Sequence, residues 1–590
     1  MMSVLAGAVL LGAPQDAEAC GGFFCDGGPQ PMPVDQTGED ILFVMDDAGV
    51  EVHIRVEYDG EAENFAWIIP VSSVPTDFNV GSEALIDAVK AASVPTYGIT
   101  NTADDCSLDD AEGFGDTDAS PGEGGFGTSG ATGGDSGDGD DGGGPVVLAE
   151  ETVGAFDITV IGEGEGQELT AQQVFDWLGE NGYQQDEAAL PIIEEYLQED
   201  HSFAAIKLNG SAGVDELHPI ALKFDHAAPC VPLRLTRIAA SDDMDVRAYF
   251  LADDRVVPQT YKHVLVNPLK IDWINQAANY KEVITKAVDA ESAEGRAFVT
   301  EYAGGSEVID TWQLYQEQWD ASAFEGLAAI DVINTLQSQG LFSCQYDWEL
   351  DDDVCFGTHA LIEGLLIEFL VPEGMDPREF YNDPAAFQDA IDLERWNNGA
   401  DFAQRMRERI IEPGLNARDL VRNHDYLTRM YTTISPSEMT KDPMFFVKPD
   451  LEEVPNIRTA TNRSLCNGDN VWTLPDGREV YVPLGESWPD IGGDEFWEEE
   501  VDEMSDQGAP MILVDNSQAI NEQLRAYNTA QGWDGSGENG GVEGGDAADD
   551  EDALARGGCG CTTSDPVSGA VWSLGFLVGF GVIGRRRRRR

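Results

Sequence analysis

The chain has 590 residues and carries 34 Lys+Arg against 110 Asp+Glu, a formal net charge of -76. A surface so acidic repels nucleic acid and anionic lipid, which both need basic neutralisation, so nucleic acid is excluded as a partner. Hydrophobic residues make up 42%, with 12 Trp and 25 Phe, which is enough for real cores in two or three domains.

Val4 to Ala13 is a short apolar stretch, and Ala17-Glu18-Ala19 gives the small-x-small pattern of a signal-peptidase site before Cys20. Residues 1–19 therefore read as a signal peptide, although no Lys or Arg precedes Arg55. Acylation of Cys20, as in a lipoprotein, is the alternative.

Residues 20–268 read as an N-terminal α+β domain that opens with an antiparallel β-meander. Ile41, Phe43 and Met45 alternate, Asp46 to Gly49 turns, and Val50, Val52, Ile54, Val56 and Tyr58 alternate again. After Asp59-Gly60, Phe65, Trp67 and Ile69 predict a third strand that Pro70 ends. Residues 104–145 are almost wholly Gly, Asp, Ser and Thr and read as a disordered insertion. Asp116 and Asp118 begin a calcium-loop pattern there, but Ser120-Pro121 breaks it.

Phe156 to Val160 predicts a strand, and Thr170 to Gln173 a capping box opening a helix with Val174, Phe175, Trp177 and Leu178. Ile192, Ile193, Tyr196 and Leu197 form a helical stripe. Strands are expected at 202–208, 220–224, 231–238 and 244–251. Residues 269–525 read as a helix-rich second domain with returning strands. Helical spacing dominates from Trp273 to Gly340, including "YKEVITKAVDAESAEGRAFVTEY", and another helix is expected over 401–411. "YLTRMYTTISP" has strand character, and Pro475-Asp476-Gly477 predicts a hairpin turn. Residues 526–558 read as an acidic, Gly-rich stalk.

The last segment, 559–590, holds Cys559 and Cys561, an uncharged run from Val567 to Gly584 and six arginines, Arg585 to Arg590. The run is just long enough for a membrane helix, which needs roughly 17–25 residues, with the arginines held on the cytoplasmic side. A buried hairpin helix with a basic tail is the alternative. This three-part ending resembles the myxobacterial C-terminal sorting signal. The resemblance implies that a membrane protease removes the helix and arginines, and that the product is held at the cell surface through Cys559 or Cys561.

Of nine cysteines, Cys344 and Cys355 flank an acidic turn and form the most plausible disulfide; Cys20 and Cys25 could close a small ring. Cys106, Cys230 and Cys466 make an odd remainder. Four-residue spacing of Cys355, His359 and Glu363 would put them on one helix face as metal ligands, but a disulfide at Cys355 or a strand at "ALIEGLLIEFLVP" would scatter them. His218, His226 and His263 lie among strands, where a lone histidine is usually a hydrogen-bonded structural residue. Gly-x-Ser-x-Gly, His-Glu-x-x-His and Gly-x-x-x-x-Gly-Lys-Ser/Thr are absent from the sequence, as is a strand-embedded Gly-x-Gly-x-x-Gly. "CGGFFC" has a longer spacing than redox Cys-x-x-Cys.

"ACGGFFC" at Ala19 to Cys25, "FAWIIPV" at Phe65 to Val71, "CVPLRLT" at Cys230 to Thr236 and "YTTISPSEMTKDPMF" at Tyr431 to Phe445 together resemble the bacterial family known as domain of unknown function 2330. That resemblance implies export and supplies no catalytic or ligand residues. The reading is an exported, surface-anchored, non-catalytic protein without a cofactor, serving envelope structure or binding an extracellular ligand. Its expected partners are the membrane through the C-terminal segment before processing, signal peptidase and the sorting protease. The alternatives are a secreted hydrolase whose residues meet only in three dimensions, and a calcium-assisted adhesion protein.

Overall fold

The computed structural model describes residues 35–533 apart from 47, 60–65, 107–143, 165–167, 184–186, 209–217, 226, 239 and 348–351. The signal-peptide segment, Cys20, Cys25, His226, the body of the Gly/Asp insertion, Cys559, Cys561 and the run before the terminal arginines lie outside the described residues. The expected α+β class with mainly antiparallel sheets is what the chain forms.

At the centre, Asp35–Met45 pairs antiparallel with Gly49–Asp59. The turn between them is held by Asp46, whose Oδ1 accepts from the N–H groups of Ala48 at 2.7 Å and Gly49 at 2.9 Å. A ten-stranded sheet grows from this hairpin. On the first strand's side come Ala240–Ala252, Tyr426–Ile434, Ala297–Gly305, Lys262–Val266, Glu498–Glu503 and Met511–Asp515; on the second's, Ile220–Asp225 and Asp77–Val80. Only two neighbouring pairs run parallel, Asp35–Met45 with Ala240–Ala252 and Lys262–Val266 with Ala297–Gly305. Strands from both sides of position 268 thus share this sheet and its core.

The third strand departs from the expected meander. Ala66–Val71 leaves the hairpin and pairs with Ser202–Leu208 in a second sheet completed by Phe156–Gly162 and Val146–Val153. The cause is apolarity on both faces. Trp67, Ile69 and Val71 pack towards the large sheet, while Ile68 packs towards the helices Ala171–Glu180 and Ala189–Gln198. A strand buried on both sides needs a layer on each, which the outer edge of a meander lacks. The Thr170 capping box is present in full.

Two other expectations change. Residues 231–238 hold a helical turn, Leu233–Thr236, because Pro232 interrupts the strand and Asp442 accepts from both Arg234 N and Arg234 Nε at 2.9 Å. The long helix expected from Tyr280 stops at Val288. Glu294 and Gly295 take positive φ, and Ala297–Gly305 becomes an interior strand whose residues are buried through Gly304. "ALIEGLLIEFLVP" contains the helix Ile362–Phe369.

The helix expected over 401–411 runs further. Ala400–Met406 passes through a π-turn, Arg407–Ile411, into Glu412–Asn423, and this wider turn accommodates Pro413. Gly414 is required there, since a Cβ would lie 2.2 Å from the Leu314 carbonyl oxygen. The strand Tyr426–Ile434 and the hairpin at Pro475-Asp476-Gly477 form as expected. That hairpin belongs to a third sheet, ordered Glu479–Val482, Asn470–Thr473, Ile457–Ser464 and Thr96–Ala103. Helix Ser517–Ala530 extends past the expected stalk boundary at 526, because Trp533 is buried and stacks on Tyr481 at 5.7 Å. Among the described residues no helix is long and apolar enough to cross a membrane.

A candidate ligand-binding cleft

Between the ten-stranded sheet and the third sheet lies a cleft of about 640 Å³. One wall comes from Lys262–Val266 and Ala297–Gly305, which contribute His263, Val266, Val299 and Thr300. The opposite wall comes from the third sheet, with Tyr97, Arg458 and the turn Pro475 to Arg478. Trp273 and Ile271, both buried, extend the apolar lining, and Leu265 is 50% exposed. The disulfide Cys106–Cys466 joins the ends of the two parallel strands Thr96–Ala103 and Ile457–Ser464, so it clamps the sheet that forms the second wall.

The polar part of the cleft is a connected row. Arg255 Nη2 donates to Thr300 Oγ1 at 3.2 Å, and Thr300 Oγ1 lies 3.0 Å from His263 Nε2. The Thr300 hydroxyl oxygen has two lone pairs and one proton, so this contact forms with either tautomer of His263. His263 Nδ1 stands 4.0 Å from Asp502 Oδ2, too far for a hydrogen bond. Burial, and then the positive charge of Arg255, push the His263 pKa down to about 3. Across the strand, burial and then the charge of Asp502 push Glu500 up to about 7.

A hydroxyl and an imidazole therefore touch, with a carboxylate 4.0 Å from the ring. Efficient general-base catalysis needs a conjugate acid near the working pH. Burial and an adjacent guanidinium both disfavour the imidazolium of His263, which the Asp502 carboxylate faces only from 4.0 Å. The arrangement suits presentation of fixed donors and a fixed positive charge to a bound molecule.

Of the sequence candidates among the described residues, only His263 lines this cleft. His218 is structural: its Nδ1 donates to the Pro219 carbonyl at 2.8 Å, its Nε2 accepts from Ala155 N–H at 3.1 Å, and burial holds its pKa down at about 4. Cys344 and Cys355 are disulfide-bonded and directly opposite in their hairpin, as expected. That pairing removes the Cys355 thiolate from the Cys355, His359 and Glu363 set. Glu363 accepts from Gly357 N–H, and His359 accepts from Leu361 N–H while resting edge-on against Trp319. Among the described residues no group of three or more His, Cys, Asp or Glu is placed to hold a metal ion. Of the odd cysteine remainder, Cys106 and Cys466 pair, and Cys230 is a free thiol whose pKa burial pushes up.

Sequence reasoning missed Arg255, Thr300 and Arg458. Arg255 follows Asp253-Asp254 and reads as half of a surface ion pair, yet Asp254 Oδ1 accepts from the Arg255 backbone N–H at 2.8 Å. Thr300 hides in a segment with helical spacing. The motifs "FAWIIPV", "CVPLRLT" and "SEMTKDPMF" do meet, through Pro70, Cys230 and Asp442, around a smaller apolar hollow of about 80 Å³.

A family model described as "Uncharacterized protein conserved in bacteria (DUF2330)" matches residues 14–446. That span includes Arg255, His263 and Thr300; the cleft residues from Val454 to Asn521 lie beyond it. No curated protein and no solved structure matches the chain.

Proposed function

The chain belongs to the DUF2330 family of proteins conserved in bacteria, and from that premise we propose that it is an exported, surface-held protein that binds an extracellular ligand in this cleft without transforming it. Export is supported by the signal-peptide and sorting-signal patterns of the two ends, and by the disulfides Cys106–Cys466 and Cys344–Cys355, which persist in oxidising compartments. Binding rests on the cleft itself, whose volume of about 640 Å³ falls in the roughly 300–1,000 Å³ range of small-molecule sites and whose walls are mainly apolar with a few convergent polar groups. The observation that carries it is Arg255, buried in the cleft wall with only neutral partners.

A secreted hydrolase is the second reading, favoured by the 3.0 Å contact between Thr300 and His263. The low pKa of His263 weighs against it. Titration with Nile red, a neutral apolar dye, tests the binding reading. One saturable site is expected on the wild type, weakened in Leu265→Trp, which fills the mouth. No saturable site on the folded protein, or a site that Leu265→Trp leaves unchanged, contradicts it. Mass-mapped termini of the protein shaved from intact cells test the location, and an intact chain found inside cells would overturn that part.

A further inference from the structure

Arg255 is 6% exposed and has five N–H donors, of which the structure uses few. Nη1 donates to the Glu452 carbonyl at 2.7 Å and Nη2 to Thr300 Oγ1 at 3.2 Å; Nε is buried with no partner. Among the described residues no carboxylate comes within ion-pair distance of this guanidinium. In a chain with 110 acidic residues this is unusual, because burying a cation is costly unless an opposite charge accompanies it.

Across the cleft the hydrogen-bond partners of Arg458 are likewise neutral, although the charge of Glu301 acts on it from nearby. Arg458 Nη1 donates to Tyr97 OH at 2.8 Å and Nη2 to the Glu301 carbonyl at 3.4 Å. The Glu301 carboxylate itself is taken by Arg429. At the turn, by contrast, Arg478 is neutralised by Glu499 and Asp476. Two guanidiniums in one apolar cleft thus have neutral oxygens for partners, while the arginine at the turn has carboxylates.

We propose that the missing charge comes from the ligand, and that the cleft takes an organic monoanion, a carboxylate seated on Arg255 and carried by an apolar body lying along Val266, Trp273 and Tyr97. This rests on reading the cleft as a binding site and adds the chemical class. A carboxylate matches the planar fork of a guanidinium, and the Thr300 hydroxyl beside it is a neutral neighbour that does not repel an anion. His263, uncharged, leaves Arg255 as the attraction at that end. A polyanion is disfavoured, since the surrounding net charge of -76 repels each added negative charge.

Calorimetric titration of the full chain with octanoate, octanol and octylamine tests this. Octanoate is expected to bind at least about tenfold more tightly than octanol, with octylamine weakest, since a charge-assisted contact contributes that much. Arg255→Met should abolish the preference for octanoate while leaving octanol unchanged, and Arg255→Lys should restore part of it. Should Arg255→Met fail to fold, Arg458→Met, on the opposite wall, should weaken octanoate and spare octanol. Equal affinity for octanoate and octanol, or a preference that survives both Met variants, overturns the anion assignment while a saturable Nile red site keeps the binding reading. Absence of both Nile red and octanoate binding overturns the binding reading as well.

Discussion

The hydroxyl of Thr300 lies 3.0 Å from Nε2 of His263 and accepts from Arg255 on its other side. Thr300 therefore joins a buried cation to a buried base while keeping them apart. Burial, and then the nearby guanidinium, disfavour the imidazolium, so the cleft presents one fixed positive charge at this end instead of a titrating pair. His263 comes from Lys262–Val266, Thr300 from Ala297–Gly305 and Arg255 from just before the short strand Val256–Pro258, so the row sits where the ten-stranded sheet changes from antiparallel to parallel pairing.

Acid should destabilise the fold through its histidines. His263, His218 and His359 have folded pKa values of about 3, about 4 and about 4 against 6.5, all lowered first by burial. Their contribution is fully present above about pH 6.5 and is lost as pH falls towards the folded values, at up to about 1.4 kcal/mol per pH unit for each group. Urea unfolding between pH 7 and 5 should show this slope, and His263→Gln should make it shallower. An unchanged slope would contradict the buried neutral imidazole.

Glu500 should act with the opposite sign. Its folded pKa, raised to about 7 from 4.5, gives a contribution present below the unfolded value and lost as pH rises through 7. Glu500→Gln is therefore expected to raise Tm at pH 8 more than at pH 5, by a modest amount because the side chain is partly solvated.

Asp40 should contribute to stability. It is fully buried and accepts from Arg55 Nη2 and Lys90 Nζ at 2.9 Å and from Tyr249 OH at 3.3 Å. Burial alone would raise its pKa, but the hydrogen bonds and charges of Arg55 and Lys90 hold it down at about 2. Asp40→Ala removes the buried carboxylate that Arg55, Lys90 and Arg247 face, but Arg55 keeps Glu83 and Asp87 and Lys90 is partly solvated, so the expected cost is about 1–3 kcal/mol in urea unfolding. A loss below about 1 kcal/mol would mean that water replaces the carboxylate.

Removing the Cys106–Cys466 bridge should loosen one wall of the cleft. The double variant Cys106→Ser, Cys466→Ser is expected to lose about 2–5 kcal/mol, since the bridge closes a very long loop. Nile red affinity should fall with it. The double variant Cys344→Ser, Cys355→Ser should leave dye binding unchanged, because that hairpin packs in a separate core around Phe342 and Tyr381.

Much of the architecture can be read from local pattern. The first hairpin, the Thr170 capping box, the strand Tyr426–Ile434, the Pro475 turn and the Cys344–Cys355 bridge all depend on residues close in sequence. What fails is whatever depends on distant partners. Ala66–Val71 joins another sheet because both its faces need cover, and Ala297–Gly305 is interior strand despite its helical spacing. The cleft was illegible for the same reason. Arg255 resembles any arginine after two aspartates until its side chain is seen to reach Thr300, 45 positions on, and not an acid.

Native mass spectrometry of the protein released from its own envelope tests the central claim most directly. The account predicts a bound small organic acid on the wild type that disappears from a folded Arg255→Met variant. A wild type that emerges consistently without ligand, or a ligand equally retained by Arg255→Met, would contradict it.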